Sequence, residues 1–165
     1  MNIKRKKILI TLTAIIFIVI ISSFLIIKSM ISRFNKSLDP VTLININWSA
    51  HLPNTKEATV LSNEIGGFPS DGLKLTKLVY SKEMLNNLNS NLTFSSFDSL
   101  ALDRYNDFAK SIKDKNALNE LTDLVAYNNS TLKYKLIEKK PSYLLMIINT
   151  NSSGGLTMYC FENML

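Results

Sequence analysis

The chain has 165 residues, a formal net charge of +6 and one cysteine. Six basic residues, Lys4, Arg5, Lys6, Lys7, Lys28 and Arg33, precede residue 35 with no acid among them, and beyond it 13 basic residues meet 13 acidic ones. The larger part is formally neutral, which excludes the footprint of a phosphate-backbone binder, and Cys160 has no partner for an internal disulfide.

Behind the basic cluster Lys4–Lys7 run twenty uncharged residues, Ile8 to Ile27, rich in Ile, Leu, Phe and Val. As a helix they would span about 30 Å, the thickness of a bilayer's hydrocarbon core. The run is longer than the apolar core of a cleaved signal peptide, and no small-x-small cleavage site follows it. The reading is a retained anchor. The tighter basic cluster is N-terminal, so the N-terminus stays in the cytoplasm and the rest faces outward. Residues 1–7 then form a cytoplasmic tail, 8–30 a transmembrane anchor that meets lipid through 8–27, and 31–40 a juxtamembrane spacer. Residues 41–165 make one extracytoplasmic domain, enough for one hydrophobic core. Lys outnumbers Arg 16 to 3, a bias that suggests an AT-rich bacterial genome.

Within the domain, Val41 to Trp48 alternates with a phase change at 43–44 and reads as a bulged strand. Ala58 to Ile65 and Leu73 to Tyr80 form a hairpin-like pair, with Leu73, Leu75 and Val79 among the polar Lys74, Thr76 and Lys77. Ser81 is placed to cap a short helix through Leu88, its apolar face formed by Met84, Leu85 and Leu88. From Ser99 to Ile112 apolar residues recur every three to four positions, the spacing of an amphipathic helix. A second helix, capped by Asn116, turns Leu118, Leu121, Leu124 and Val125 inward. Three strands close the chain: Leu132 to Glu138, the continuous apolar run Tyr143 to Ile148, and Leu156 to Phe161. The expected class is α+β: one N-terminal transmembrane helix, then a small domain with an antiparallel sheet and two to three helices.

Candidate chemistry is sparse. His51 is the only histidine and has no ligand partners at zinc-site spacing. Asp103 and Asp107, four apart on a helix and flanked by Arg104 and Lys110, read as a solvated face. Cys160, within an apolar strand, reads as a small buried apolar residue. The segment Gly66 to Gly72 is the densest turn signal. Its glycines permit positive φ and close backbone approach, and Asp71 can accept hydrogen bonds or hold a cation. Gly66, Gly67, Phe68, Asp71 and Gly72 are the candidate ligand-binding residues; the same pattern also suits a plain strand connection. No catalytic residue, metal ligand or cofactor is assigned.

The motif Gly66-Gly67-Phe68, followed by Asp71-Gly72 and the strand to Tyr80, resembles a family of small bacterial proteins of unknown function that are often membrane-attached or exported. Their loop reads Gly-Gly-Phe-His-Gly-Asp-Gly. Tyr143 to Ile148 and Thr157 to Glu162 are similar to that family's closing strands. Pro69 and Ser70 replace the family's His and Gly. The resemblance implies fold and location and carries no activity.

Two functions follow as expectations. One is a binding or interaction module tethered outside the cytoplasmic membrane, acting on an unknown envelope protein, in envelope maintenance or in immunity to a toxin. The other is an envelope enzyme with Asp71 as acid, base or metal ligand and Tyr80 or His51 nearby.

Overall fold

The computed structural model describes residues 16–29, 39–66, 71–126, 131–149 and 155–165. The basic cluster, residues 8–15 of the uncharged run, spacer residues 31–38 and the loop residues Gly67 and Phe68 lie outside the described residues, as do the side chains of Leu85 and Val125. The chain divides into two units, Met1–Asp39 and Pro40–Leu165.

In the first unit, residues 16–29 form helix α1, about 21 Å long at the usual rise. Ile18, Val19, Ile20 and Ile21, four in succession, are 64%, 58%, 60% and 49% exposed. At about 100° per residue, four successive positions cover every side of a helix, so α1 has no polar face. Ser22 donates its hydroxyl to the Ile18 carbonyl at 2.8 Å, which satisfies the hydroxyl within the helix. Among the described residues, no helix is long and apolar enough to cross a membrane.

The second unit is an α+β domain around one six-stranded antiparallel sheet. In chain order its elements are α2 (Pro40–Trp48), β1 (Glu57–Asn63), β2 (Gly72–Tyr80), α3 (Met84–Asn91), β3 (Ser95–Ser96), α4 (Ser99–Ser111) and α5 (Lys115–Ala126), then β4 (Leu132–Lys139), β5 (Ser142–Asn149) and β6 (Leu156–Met164). The strand order is β1-β2-β6-β5-β4-β3. The C-terminal strand β6 therefore lies between the early hairpin and the late one. It pairs with β2 from Gly72↔Met164 to Tyr80↔Leu156 and with β5 from Tyr143↔Asn163 to Asn149↔Thr157.

Both faces of the sheet are covered. On one, Leu75, Leu145, Ile147 and Phe161 pack with Tyr105 and Phe108 of α4 and Leu121 of α5. Phe161 meets Tyr105 and Phe108 edge-on, with ring centroids 5.8 and 5.2 Å apart. On the other, Leu78, Leu144, Met146 and Met158 pack with Val41, Ile44 and Trp48 of α2 and Leu88 of α3. Fully burying one such side chain contributes about 1.5–3 kcal/mol. Residues 143–148 are buried without exception, which explains why this strand reads as an unbroken apolar run.

The segment 41–48 is a helix, not the expected bulged strand. Val41, Ile44 and Trp48 are its buried residues, spaced i, i+3, i+7, so the phase change at 43–44 was helical periodicity. Pro40 stands at its first position, where a missing N–H costs nothing. Two caps also differ from expectation. Asp114, not Asn116, caps α5, its carboxylate accepting from Asn116 N and Ala117 N at 2.9 and 3.2 Å. The helix expected after Ser81 begins at Met84, and no side chain caps it. Asp98 caps α4, accepting from Ala101 N at 3.0 Å and from the Tyr134 hydroxyl at 2.9 Å. The Ala101 bond, followed by that of Tyr134, holds the Asp98 carboxyl below the usual range.

The tyrosines yield a pH prediction. Burial pushes Tyr80 and Tyr159 well above the ordinary phenol value and Tyr105 up to about 12. The hydrogen bond to Asp98 raises Tyr134, and burial raises Tyr143. Groups with raised folded values contribute stability fully below about pH 10, where the unfolded phenols ionise, and lose it as pH rises through the folded values. Tyrosinate absorbance should stay low in the folded chain at about pH 10.5 and appear together with loss of circular dichroism at higher pH. Ionisation of most of the six tyrosines at that pH without unfolding would contradict the packing.

Candidate functional site

The sequence-predicted loop is partly described. Gly66 and Asp71 form an isolated antiparallel bridge, with Gly66 N donating to the Asp71 carbonyl at 3.0 Å. Gly72 has φ +140°, and a Cβ there would press into the Glu64 carbonyl oxygen and lie 2.8 Å from Ile65 Cα. Glycine at 72 is a steric requirement of the β1–β2 connection. At Gly66 a Cβ would meet nothing within 4 Å, so close approach does not demand glycine there.

Asp71 is exposed, yet it borders a cleft. The cleft has a volume of about 320 Å³ and collects Asn47 and Trp48 from the end of α2, Lys139 from the end of β4, Ser142 from the start of β5, and Met164 with Leu165. Its position follows from register. Gly72 pairs with Met164, and Ser142 precedes Tyr143, the partner of Asn163, so the cleft lies where β2 and β5 begin and β6 ends. The expected companions of Asp71 are elsewhere. Tyr80 is at the far end of β2, about 30 Å along an extended strand, with its hydroxyl donating to the Pro53 carbonyl at 3.3 Å. His51 does not line the cleft. It stands exposed with φ 54° after α2, and its carbonyl accepts from Asn91 Nδ2 at 3.4 Å.

One row inward from the cleft is a buried polar cluster. Lys74 and Glu162 are direct cross-strand partners on the face covered by α2. Lys74 Nζ lies 3.5 Å from Glu162 Oε1, with side-chain exposures of 8% and 0%. The Trp48 indole N–H donates to Glu162 Oε2 at 2.9 Å. Thr76 and Cys160 form the next cross-strand pair, both fully buried. Removing two charges from water costs several kcal/mol per ion, offset only where partners satisfy them. Here the indole supplies a charge-assisted bond to Glu162 Oε2, while Oε1 has the Lys74 ammonium at 3.5 Å and no hydrogen bond. Burial, reinforced by the Glu162 charge, pushes the Cys160 thiol well above its ordinary value, so Cys160 remains a protonated, unreactive thiol.

Lys139 joins α2 to the sheet from outside. Its ammonium donates to the Asn47 carbonyl and lies 5.8 Å from the Trp48 ring centroid, within cation–π range. Trp48 is thus held at its N–H by Glu162 and over its ring by Lys139. Asp103 and Asp107 are exposed on α4. Among the described residues, no group of three His, Cys, Asp or Glu side chains could hold a metal ion.

The buried cluster was missed because Lys74 and Thr76 read as the solvent side of an alternating strand. A signal existed: both share the strand phase of Leu78 and Tyr80, which are buried. Lys74→Met alone or Glu162→Leu alone should destabilise the chain by about 3–5 kcal/mol, since each leaves one buried charge unpaired. The double variant should recover most of that loss in urea denaturation followed by circular dichroism. Two neutral single variants would contradict a buried ion pair.

The chain was compared with protein-family models, with curated proteins and with solved structures, and it finds no match in any of the three.

Proposed function

We propose that this chain is a single-pass membrane protein with its N-terminus inside, and that its α+β domain is a binding or interaction module outside the cytoplasmic membrane. The partner class is an envelope protein, in envelope maintenance or in immunity to a toxin. The observation that carries the reading is the apolar surface of α1. Its Ile, Val, Phe and Leu side chains from Ile16 to Ile27 are each about half exposed or more, which is unfavourable in water. In lipid each of these types contributes a few tenths of a kcal/mol at the bilayer centre, where one charged residue would cost about 2.5–3.5 kcal/mol. The uncharged run Ile8 to Ile27 has none. The cluster Lys4–Lys7 supports the inward N-terminus by the positive-inside rule.

A binding role is preferred to an enzyme built on Asp71. Tyr80 bonds at the opposite end of β2, and Cys160 is buried with a suppressed thiolate. Charge within the domain is balanced, which suits recognition of a protein or small polar ligand better than of a polyanion.

Localisation tests the reading. The full chain with a C-terminal epitope should stay in the membrane pellet after alkaline carbonate washing. Protease added to spheroplasts should remove the epitope without lysis. Recovery in the carbonate supernatant, or an epitope protected until lysis, would contradict it.

A further inference from the structure

The domain is neutral in sum and uneven in distribution. Directly opposed residues of an antiparallel pair share one side of the sheet. Lys133, Lys135, Ile137 and Lys139 of β4 oppose Ile148, Met146, Leu144 and Ser142 of β5, so all four stand on the side that α2 and α3 cover. The cover stops short of them: Lys133 and Lys139 are exposed, Lys135 and Ile137 half-buried, and exposed Lys140 follows. Carboxylates are scarce on this side. Residues 40–55 and 82–97, which hold α2 and α3, contain one acid, Glu83, beside Lys82. Asp71 borders the cleft that Lys139 also lines. Among the described residues, the ion pairs are Lys74–Glu162, Lys77–Glu120 and Arg104–Glu138, and none of them holds Lys133, Lys135 or Lys140. The opposite layer differs, with Asp103 and Asp107 of α4 and Asp123 of α5 exposed.

Two further observations bear on what meets this basic strip. Ile46 lies two positions from both Ile44 and Trp48, so at about 100° per residue it points away from the sheet, and it is 61% exposed. Ten residues, 30 to 39, separate α1 from Pro40 at the start of α2, a reach of at most about 40 Å. We propose that the α2 side of the domain, through Ile46, Lys133, Lys135 and Lys140, docks on anionic phospholipid headgroups of the membrane that holds the anchor. Lysine stems lie along apolar surface while their ammonium groups reach the phosphates. Capturing a polyanion from solution calls for a net positive domain. A tethered domain is already concentrated at the bilayer and needs one basic side only. The inference rests on the proposed anchor for its bilayer, and it deepens the binding-module reading. Asp103, Asp107 and Asp123 then face away from lipid, which leaves the layer of α4 and α5 to the envelope partner.

The full chain is reconstituted into vesicles of phosphatidylcholine alone or of an equimolar mixture with phosphatidylglycerol. An environment-sensitive fluorophore is placed on Ile46→Cys or, in the first turn of α4, on Leu100→Cys; buried Cys160 does not compete for the label. Emission from position 46 should shift to the blue in the mixed vesicles relative to phosphatidylcholine, and emission from position 100 should not. The shift should be lost in about 1 M salt, where the screening length falls to about 3 Å. Combined Lys133→Gln, Lys135→Gln and Lys140→Gln substitution should abolish it with the circular dichroism unchanged. Lys110→Gln with Lys115→Gln, on the layer of α4 and α5, should preserve it. No shift at position 46, equal shifts at both positions, or a shift that survives loss of the three lysines would overturn the proposal. The last outcome would leave those lysines the task of blunting a sheet edge. Vesicle flotation separates this inference from the anchor. A chain that floats with both compositions and shows no shift contradicts the docking alone. One that floats only with the mixed vesicles contradicts the anchor and keeps the docking, and one that floats with neither contradicts both.

Discussion

Strand β5 sets Leu144, Met146 and Ile148 against one layer of helices and Tyr143, Leu145 and Ile147 against the other. Neither side of that strand has access to water, and the neighbouring β6 is nearly as enclosed. Everything else in the domain answers to this double burial. A sheet with two apolar faces needs two covers, and α4 with α5 supply one while α2 with α3 supply the other. The early hairpin must then pair with β6 to complete the sheet, which joins residues from 76 (Tyr80 and Leu156) to 92 (Gly72 and Met164) positions apart in the chain.

Against that apolar background the row of Lys74, Glu162 and Trp48 is the exception. An ion pair in this place weakens the core relative to a packed pair of apolar residues, yet it gives α2 a directional attachment that greasy contacts lack. The Trp48 indole can reach Glu162 in one pose of α2, and Lys139 fixes the same residue from outside. Helix α2 is therefore locked in rotation and register on the sheet. The cleft at its C-terminal end inherits that order, since Asn47 and Trp48 form one wall of it.

Local periodicity made much of the fold legible. The α4 spacing of Leu102, Tyr105, Phe108, Ala109 and Ile112, the unbroken run of β5 and the alternation of β4 each mapped onto the observed element. What escaped depended on distant partners. Val41 to Trp48 is short, and its apolar residues fit a strand or a helix until the sheet face it covers is known. Lys74 reads as a solvent residue because alternation presumes one wet face, and here both faces are dry. The two residues Ser95 and Ser96 of β3 carry no pattern at all. At the candidate site, Asp71 was legible from turn chemistry. Its neighbours Trp48, Lys139 and Ser142 come from three other elements, and no local motif links them.

The central claim is that α2 is an integral layer of the domain, clamped over the second face of the sheet. Amide hydrogen exchange on the full chain tests it most directly, comparing residues 44–49 with the interior of β5. The account predicts that the α2 amides, including Ser49 N bonded to the Asn45 carbonyl, exchange within about tenfold of the β5 amides through a shared global opening. Exchange of those α2 amides at the rate of an unstructured peptide, while β5 stays protected, would contradict it.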